Sequence, residues 1–206
     1  MKNLKHKKRF VYLISPNKIK NNFYNQLKNV LKSDKVKFFQ LRLKKCSEKK
    51  IINIGKKIKN ICKRFDVKLI INDNPIIAKK INADGCHVGQ GDMDISKSRK
   101  ILKNKIIGIT CHNSIKLVKK AIAHNADYIA LGSFFPTKTK KVTYKANIKI
   151  LKSTKKITDI PIVVIGGIKS SNYKKLLLNK ANFLAISSFI WKNKKLKPID
   201  AIKEIK

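Results

Sequence analysis

LIINDNPIIAKKINADGCHVGQGDMD, residues 69–94, holds two short apolar runs, each with an aspartate at or just past its end. The first run, KLIIND (68–73), is β-branched and apolar on both faces; the second, GCHVG (85–89), leads into Gln90 and Asp92. Strands buried on both sides in a parallel sheet have this unbroken apolar character, whereas half-exposed strands alternate. Nothing obvious in the neighbouring sequence neutralises Asp73 or Asp92, which stand beside Asn72 and Gln90 in a chain crowded with lysine.

The same unit recurs along the chain. Comparable runs are RFVYLIS (9–15), VKFFQLRL (36–43), IIGITC (106–111), YIALGSF (128–134), IPIVVIGG (160–167) and FLAISS (183–188). Helix-like segments lie between them. Residues 47–64 carry Ile51, Ile52, Ile54, Ile58 and Ile61 at helical spacing with lysine on the other face. Ser96, Ser114 and the Ser170-Ser171-Asn172 cluster precede further helical segments as N-caps. Strand followed by helix, eight times in one domain spanning 1–206, predicts an α/β fold of the (β/α)8 TIM-barrel type; an open doubly wound sheet is the structural alternative.

Of the 206 residues 43% are hydrophobic, enough for a substantial core without metal or disulfide staples. The charge is extreme: 50 Lys and Arg against 11 Asp and Glu give a formal +39, so the chain should cling to polyanions at low salt. Modules that read nucleic acid interleave aromatics with their basic residues, but here aromatics are only 7% and the lysines spread over almost every helix and loop. Solvated, lysine-biased helix faces are therefore expected, with no specific nucleic-acid partner. Cys46, Cys62, Cys86 and Cys111 have no paired spacing, which suits reduced thiols and argues against zinc. FVYLI, after the basic N-terminus, is too short for a signal-peptide core, and no apolar run approaches the ~18 residues of a membrane helix. A soluble, cytoplasmic protein with no membrane partner is expected, and a homo-oligomer is compatible with it.

In a TIM barrel the strand C-termini and following loops form the active site. Polar residues scattered in sequence would therefore meet at one mouth: Gln40, Arg42 and Lys44 from strand two, Asn72 and Asp73 from strand three, Gln90 and Asp92 from strand four. Thr110 would come from strand five, Thr137, Thr139 and Lys140 from strand six, Gly166 and Gly167 from strand seven and Ser187 from strand eight. Paired carboxylates at adjacent strand ends suit a hard cation such as Mg2+; the bland alternative is that Asp73 caps a turn and Asp92 a helix. PTKTKK (136–141) and IGGI (165–168) offer hydroxyls, backbone N–H groups and Lys140 to an anion, the alternatives being a solvated loop and a tight turn. Gln40, Arg42 and Lys44 share one side of their run while Leu41 and Leu43 face the helices. A buried-side Arg and Lys need anionic partners, which a diphosphate would supply. His87 and His112 read as satisfied structural histidines. No pair looks like an activated nucleophile with its base, which points to electrostatic stabilisation of a leaving group.

Taken together, FQLRLK (39–44), LIINDNP (69–75), ADGCHVGQGD (83–92), IGITCHNS (107–114), ADYIALGSFFPTKTK (126–140), IPIVVIGGI (160–168) and FLAISS (183–188) resemble the thiamine phosphate synthase family in order, spacing and content. The resemblance implies a transferase that condenses 4-amino-2-methyl-5-(diphosphooxymethyl)pyrimidine with thiazole phosphate, giving thiamine monophosphate and pyrophosphate by a dissociative route. It implies that Gln40, Leu41, Arg42, Leu43, Lys44 and Asn72 hold the pyrimidine diphosphate, with Asp73 and Asp92 on Mg2+. Thr110 stands where the family commonly has serine. Thr137, Thr139, Gly167, Ile186 and Ser187 would bind the thiazole phosphate, Lys138 would be a further substrate-binding residue, and Arg42, Lys44 and Lys140 would act on the departing diphosphate. Two further departures are the missing glycine after the strand-six loop, which reads VTYKANIKIL, and GQGD in place of an acidic pair. The alternatives are a thiazole tautomerase of the same fold, with His112 as base, and a basic barrel that binds nucleic acid by charge alone.

Overall fold

The structure, a computed structural model, describes residues 9–137 and 143–206. Eight parallel strands close into a barrel in sequence order: β1 (Val11–Ile14), β2 (Val36–Leu41), β3 (Lys68–Asn72), β4 (Gly85–Val88), β5 (Ile106–His112), β6 (Tyr128–Gly132), β7 (Ile162–Ile165) and β8 (Phe183–Ile186). Closure is made by β1 on β8, with Leu13 opposite Ile186. The open-sheet alternative is thereby excluded.

Among the described residues, helices follow each strand: α1 (Phe23–Leu31), α2 (Glu48–Arg64), α3 (Pro75–Ile81), α4 (Ile95–Leu102), α5 (Ile115–Ala123), α6 (Ile148–Lys155), α7 (Lys174–Leu178), α8 (Ser188–Trp191) and α9 (Pro198–Lys203). None of the helices is long and apolar enough to cross a membrane. The α2 stripe is as expected, Ile58 and Ile61 being buried. Ser114 caps α5 by accepting from the Leu117 N–H. The other two expected caps are displaced. Asp94, not Ser96, caps α4, and Asn172 instead closes a turn by accepting from the Lys169 N–H.

Why the strands are apolar on both faces is plain from where their side chains go. Val11 and Leu13 join the core between barrel and helices, while Tyr12 and Ile14 point into the barrel; Ile129 and Leu131 contrast with Tyr128 and Ala130 in the same way. The lumen is thus filled by Tyr12, Ile70, Tyr128, Val163 and Ala185. Gly108 makes room for one of these rings, because a Cβ there would lie 1.8 Å from the Tyr128 Cζ.

At the opposite end from the mouth a three-residue device is used three times. Asn82-Ala83-Asp84, Asn125-Ala126-Asp127 and Lys180-Ala181-Asn182 each begin with a left-handed residue that ends a helix, continue with a buried alanine, and finish with an Asp or Asn. That last side chain accepts from the first N–H groups of the preceding strand: Leu69 to Asp84 at 2.8 Å, Ile107 to Asp127 at 2.7 Å, Ile162 to Asn182 at 2.9 Å. Each latch fixes an odd strand against the next, even strand, and so fixes the register with which their far ends reach the mouth.

Candidate active site

The strand C-termini and their loops enclose a cavity of about 520 Å³. Gln40, Arg42, Lys44, Asn72, Asp73 and Asp92 line one side of it. Thr110, Thr137, Gly167, Ile186 and Ser187 line the remainder, so the expected convergence occurs. Leu41 and Leu43 do not join them: Leu41 is fully buried in the barrel–helix core and Leu43 packs against it, because side chains alternate along this segment. Lys138, Thr139 and Lys140 lie outside the described residues.

β2 ends at Leu41, earlier than the apolar run suggests, and β1 holds the backbone beyond it. The Arg42 N–H donates to the buried Ser15 hydroxyl at 2.9 Å, and the Ser15 N–H to the Gln40 carbonyl at 2.9 Å. The Arg42 guanidinium reaches Asn17 at 3.4 Å and otherwise faces the cavity. Lys44 forms an ion pair with Asp73. This corrects the premise that nothing neutralises Asp73: the partner comes from the adjacent strand end, 29 residues away in sequence.

Neither aspartate is a helix cap. Asn74 caps α3 and Asp94 caps α4, leaving both carboxylates at the mouth. Asp73 has a left-handed backbone, φ 66°, and its N–H donates to the His87 carbonyl at 2.7 Å, which turns the residue out of the β3 direction. Asp92 accepts from the Gly89 N–H at 2.8 Å, and burial together with the neighbouring Asp73 carboxylate pushes its carboxyl up. Gln90 is tied down as well, donating to the Thr110 carbonyl at 2.5 Å.

Below the mouth runs a hydrogen-bonded chain that the sequence did not announce. Tyr12 meets Tyr128 hydroxyl to hydroxyl at 2.7 Å, Tyr128 meets His87 Nδ1 at 2.9 Å, and His87 Nε2 meets the Thr110 hydroxyl at 2.8 Å. Burial lowers the His87 pKa to about 4 and pushes both phenols up, so the chain is neutral at pH 7. Thr110 and His87 thus have the spacing of a nucleophile and its base without forming an activated pair. An imidazole with so low a pKa, backed by a phenol and not a carboxylate, is a poor base for a threonine hydroxyl, and the pair positions more than it activates. The signal for this chain was the inward register of Tyr12 and Tyr128. Their apolar neighbours hid it.

Across the cavity, Gly166 and Gly167 adopt φ 108° and 60°, and a Cβ on Gly167 would lie 2.3 Å from the Pro136 carbonyl oxygen. Only glycine suits that turn, which presents backbone to the cavity beside the start of α8. The Ser187 hydroxyl donates to the Ser15 carbonyl at 3.2 Å, joining this side of the mouth to the β1–β2 side. Arg42 and Lys44 on one flank and a backbone cradle on the other give the cavity two separated places for anions.

Residues 11–190 match the family model described as thiamine monophosphate synthase. The thiamine-phosphate synthase of Pelagibacter ubique (strain HTCC1062) is 65% identical over the full length of both chains. That of Erythrobacter litoralis (strain HTCC2594) is 33% identical, over 94% of this chain and 93% of its own. Among solved structures, the thiamine phosphate pyrophosphorylase from Pyrococcus furiosus superposes with a TM-score of 0.86 at 25% identity, covering 97% of this chain and 95% of that one.

Proposed function

The chain belongs to the thiamine monophosphate synthase family of transferases, and on that premise we propose that it joins 4-amino-2-methyl-5-(diphosphooxymethyl)pyrimidine to thiazole phosphate, giving thiamine monophosphate and pyrophosphate. The observation that supports the proposal is one cavity lined by Arg42 and Lys44 after β2 and by the Gly166–Gly167 turn after β7. A diphosphate fits the first and a monophosphate the second.

The donor set fits Mg2+. Asp73 and Asp92 are two hard carboxylates, the first close enough to disfavour ionisation of the second, and a cation that needs only one or two protein ligands would relieve that. Bound there with the diphosphate, Mg2+ would offset the charge that builds on departing pyrophosphate.

The chain's own residues do the rest. Lys44, paired with Asp73 in this structure, turns to the incoming diphosphate, and Arg42 grips it with a planar fork that Asn17 steadies. The bond from the pyrimidine methylene carbon to the diphosphate oxygen breaks with its electrons going to oxygen. The thiazole nitrogen lone pair then closes on the resulting cation. Neutral His87 holds the Thr110 hydroxyl beside the pyrimidine and takes no proton at pH 7.

The test is to supply both substrates and Mg2+ and measure thiamine monophosphate and pyrophosphate. Equal amounts of the two products are expected. Absence of product from folded protein would transfer the reading to a thiazole tautomerase, for which His112, also at the cavity wall, is the base to replace.

A further inference from the structure

His112 and Tyr144 stack at the cavity wall with ring centroids 4.2 Å apart and planes 26° from parallel. The backbone goes to some length to make that contact. The β5–β6 register shifts between Thr110 and His112, and His112 takes a left-handed φ of 53°, which aims its ring away from the strand's regular alternation. Tyr144 is clamped by Ser133, whose N–H donates to the Tyr144 carbonyl at 3.0 Å while its own carbonyl accepts from the Ala146 N–H at 2.9 Å. Ser133 in turn packs on the glycine turn: a Cβ on Gly166 would lie 1.9 Å from its hydroxyl oxygen. Yet Tyr144 remains 52% exposed, one of few large hydrophobic side chains left open among the described residues.

Tyr144, stacked on His112 and more than half exposed at the cavity, has a ring face to offer. Its place on β5 and the loop after β6 puts it between the carboxylate flank on β3 and β4 and the glycine turn on β7, in barrel order. A molecule with its phosphate at the glycine turn and its reactive end directed at the Asp92 side of the carboxylate flank passes this wall on the shorter way round the barrel. Building on the proposed reaction, we infer that the His112–Tyr144 stack is the surface against which the flat ring of the phosphate-bearing acceptor lies, and that Tyr144 is a specificity-determining residue for that ring. Offset stacking of a heterocycle on an aromatic face accounts for a modest but ring-specific gain in affinity. Tyr144 also lies in the VTYKAN stretch, so an aromatic wall occupies the segment in which the family's glycine is missing.

The test compares wild type, Tyr144→Ala and Tyr144→Phe. Measurements are the KM for each substrate and inhibition by ethyl phosphate, a phosphate with no ring. Loss of a stacking contact corresponds to about a two- to tenfold change. Tyr144→Ala is therefore expected to raise the KM for thiazole phosphate by that factor, leaving the KM for the pyrimidine diphosphate and the ethyl phosphate inhibition constant unchanged. Tyr144→Phe, which keeps the ring, is expected to restore the acceptor KM. An unchanged acceptor KM in Tyr144→Ala, or an equal weakening of ethyl phosphate, would overturn the inference, the latter by showing that the phosphate cradle and not the ring contact was lost. Calorimetric titration of thiazole phosphate alone separates this outcome from failure of the proposed reaction. If wild type makes no product but binds thiazole phosphate more tightly than Tyr144→Ala, the wall stands and the reaction does not; equal binding, or none, removes the wall.

Discussion

His87 Nε2 lies 2.8 Å from the Thr110 hydroxyl, while Nδ1 of the same ring lies 2.9 Å from the Tyr128 hydroxyl. A histidine satisfied at both nitrogens in a buried site loses much by being charged. Its pKa of about 4 in the fold stands below its ordinary 6.5, so the unfolded chain binds the extra proton first as pH falls. The stabilisation is complete above pH 6.5 and is lost as pH falls towards 4. Thermal unfolding measured from about pH 4 to 7 should show Tm rising over that window, and His87→Gln should flatten the rise whatever it does to Tm at neutral pH. An equally steep rise in the variant would contradict the assignment.

Removing the Thr110 hydroxyl tests the same contact from the other end. Thr110→Val leaves a half-buried imidazole nitrogen at the cavity wall without its protein partner, at a cost of about 1 kcal/mol. Thr110→Ser keeps the hydroxyl and should retain stability and turnover. Chemical denaturation of the two variants reads the difference directly.

Asp73 and Asp92 are predicted to bind Mg2+ whether or not substrate turns over. Adding millimolar Mg2+ with pyrophosphate should raise the Tm of wild type, as any ligand of the folded state does. Asp92→Asn, which keeps the shape and removes the charge, should lose most of that increase and lower activity at limiting Mg2+ by about a hundredfold or more. An undiminished Mg2+-dependent increase in Asp92→Asn would exclude Asp92 as a ligand.

At the glycine turn, Gly167→Ala places a Cβ against the Pro136 carbonyl and forces a side chain onto a φ of 60°. The left-handed strain alone costs about 1–2 kcal/mol. The acceptor KM should rise, and inhibition by ethyl phosphate should weaken with it, a pattern opposite to the one expected for Tyr144→Ala.

At the far end of the barrel the expectation is a loss of stability with chemistry intact. Asp127 accepts from the Ile107 N–H and pairs with Arg99 at 2.6 Å. Asp127→Ala should destabilise the protein by roughly 1–3 kcal/mol through the abandoned N–H. Its kcat at room temperature should match wild type, since this face carries stability and the opposite one carries catalysis.

Much of this architecture is legible in the order of the residues. The eight apolar runs became the eight strands because parallel strands are buried on both faces and announce it by composition. The polar residues at their ends met at one mouth for the same reason. Register and long-range pairing escaped. The Lys44–Asp73 ion pair joins residues that are neighbours only once β2 and β3 are aligned, and the Tyr12–Tyr128–His87 chain needs three strands to face inward together. Leu41 and Leu43 fall outside the cavity lining because the two-residue alternation governs them more strongly than their neighbourhood does. The three Ala-Asp or Ala-Asn latches stood in plain view as NAD, NAD and KAN, at 82–84, 125–127 and 180–182. They could have marked the starts of β4, β6 and β8 to the residue.

One cavity, on this account, binds a diphosphate and a monophosphate and couples their carriers. The most direct measurement is a single-turnover reaction of the pyrimidine diphosphate with excess thiazole phosphate, with Mg2+ and with a chelator in its place. Thiamine monophosphate and pyrophosphate in equal amounts are predicted with Mg2+, and a reaction slowed by orders of magnitude without it. Product formed at the same rate in chelator would contradict the role given to Asp73 and Asp92, and no product under either condition would contradict the synthase function itself.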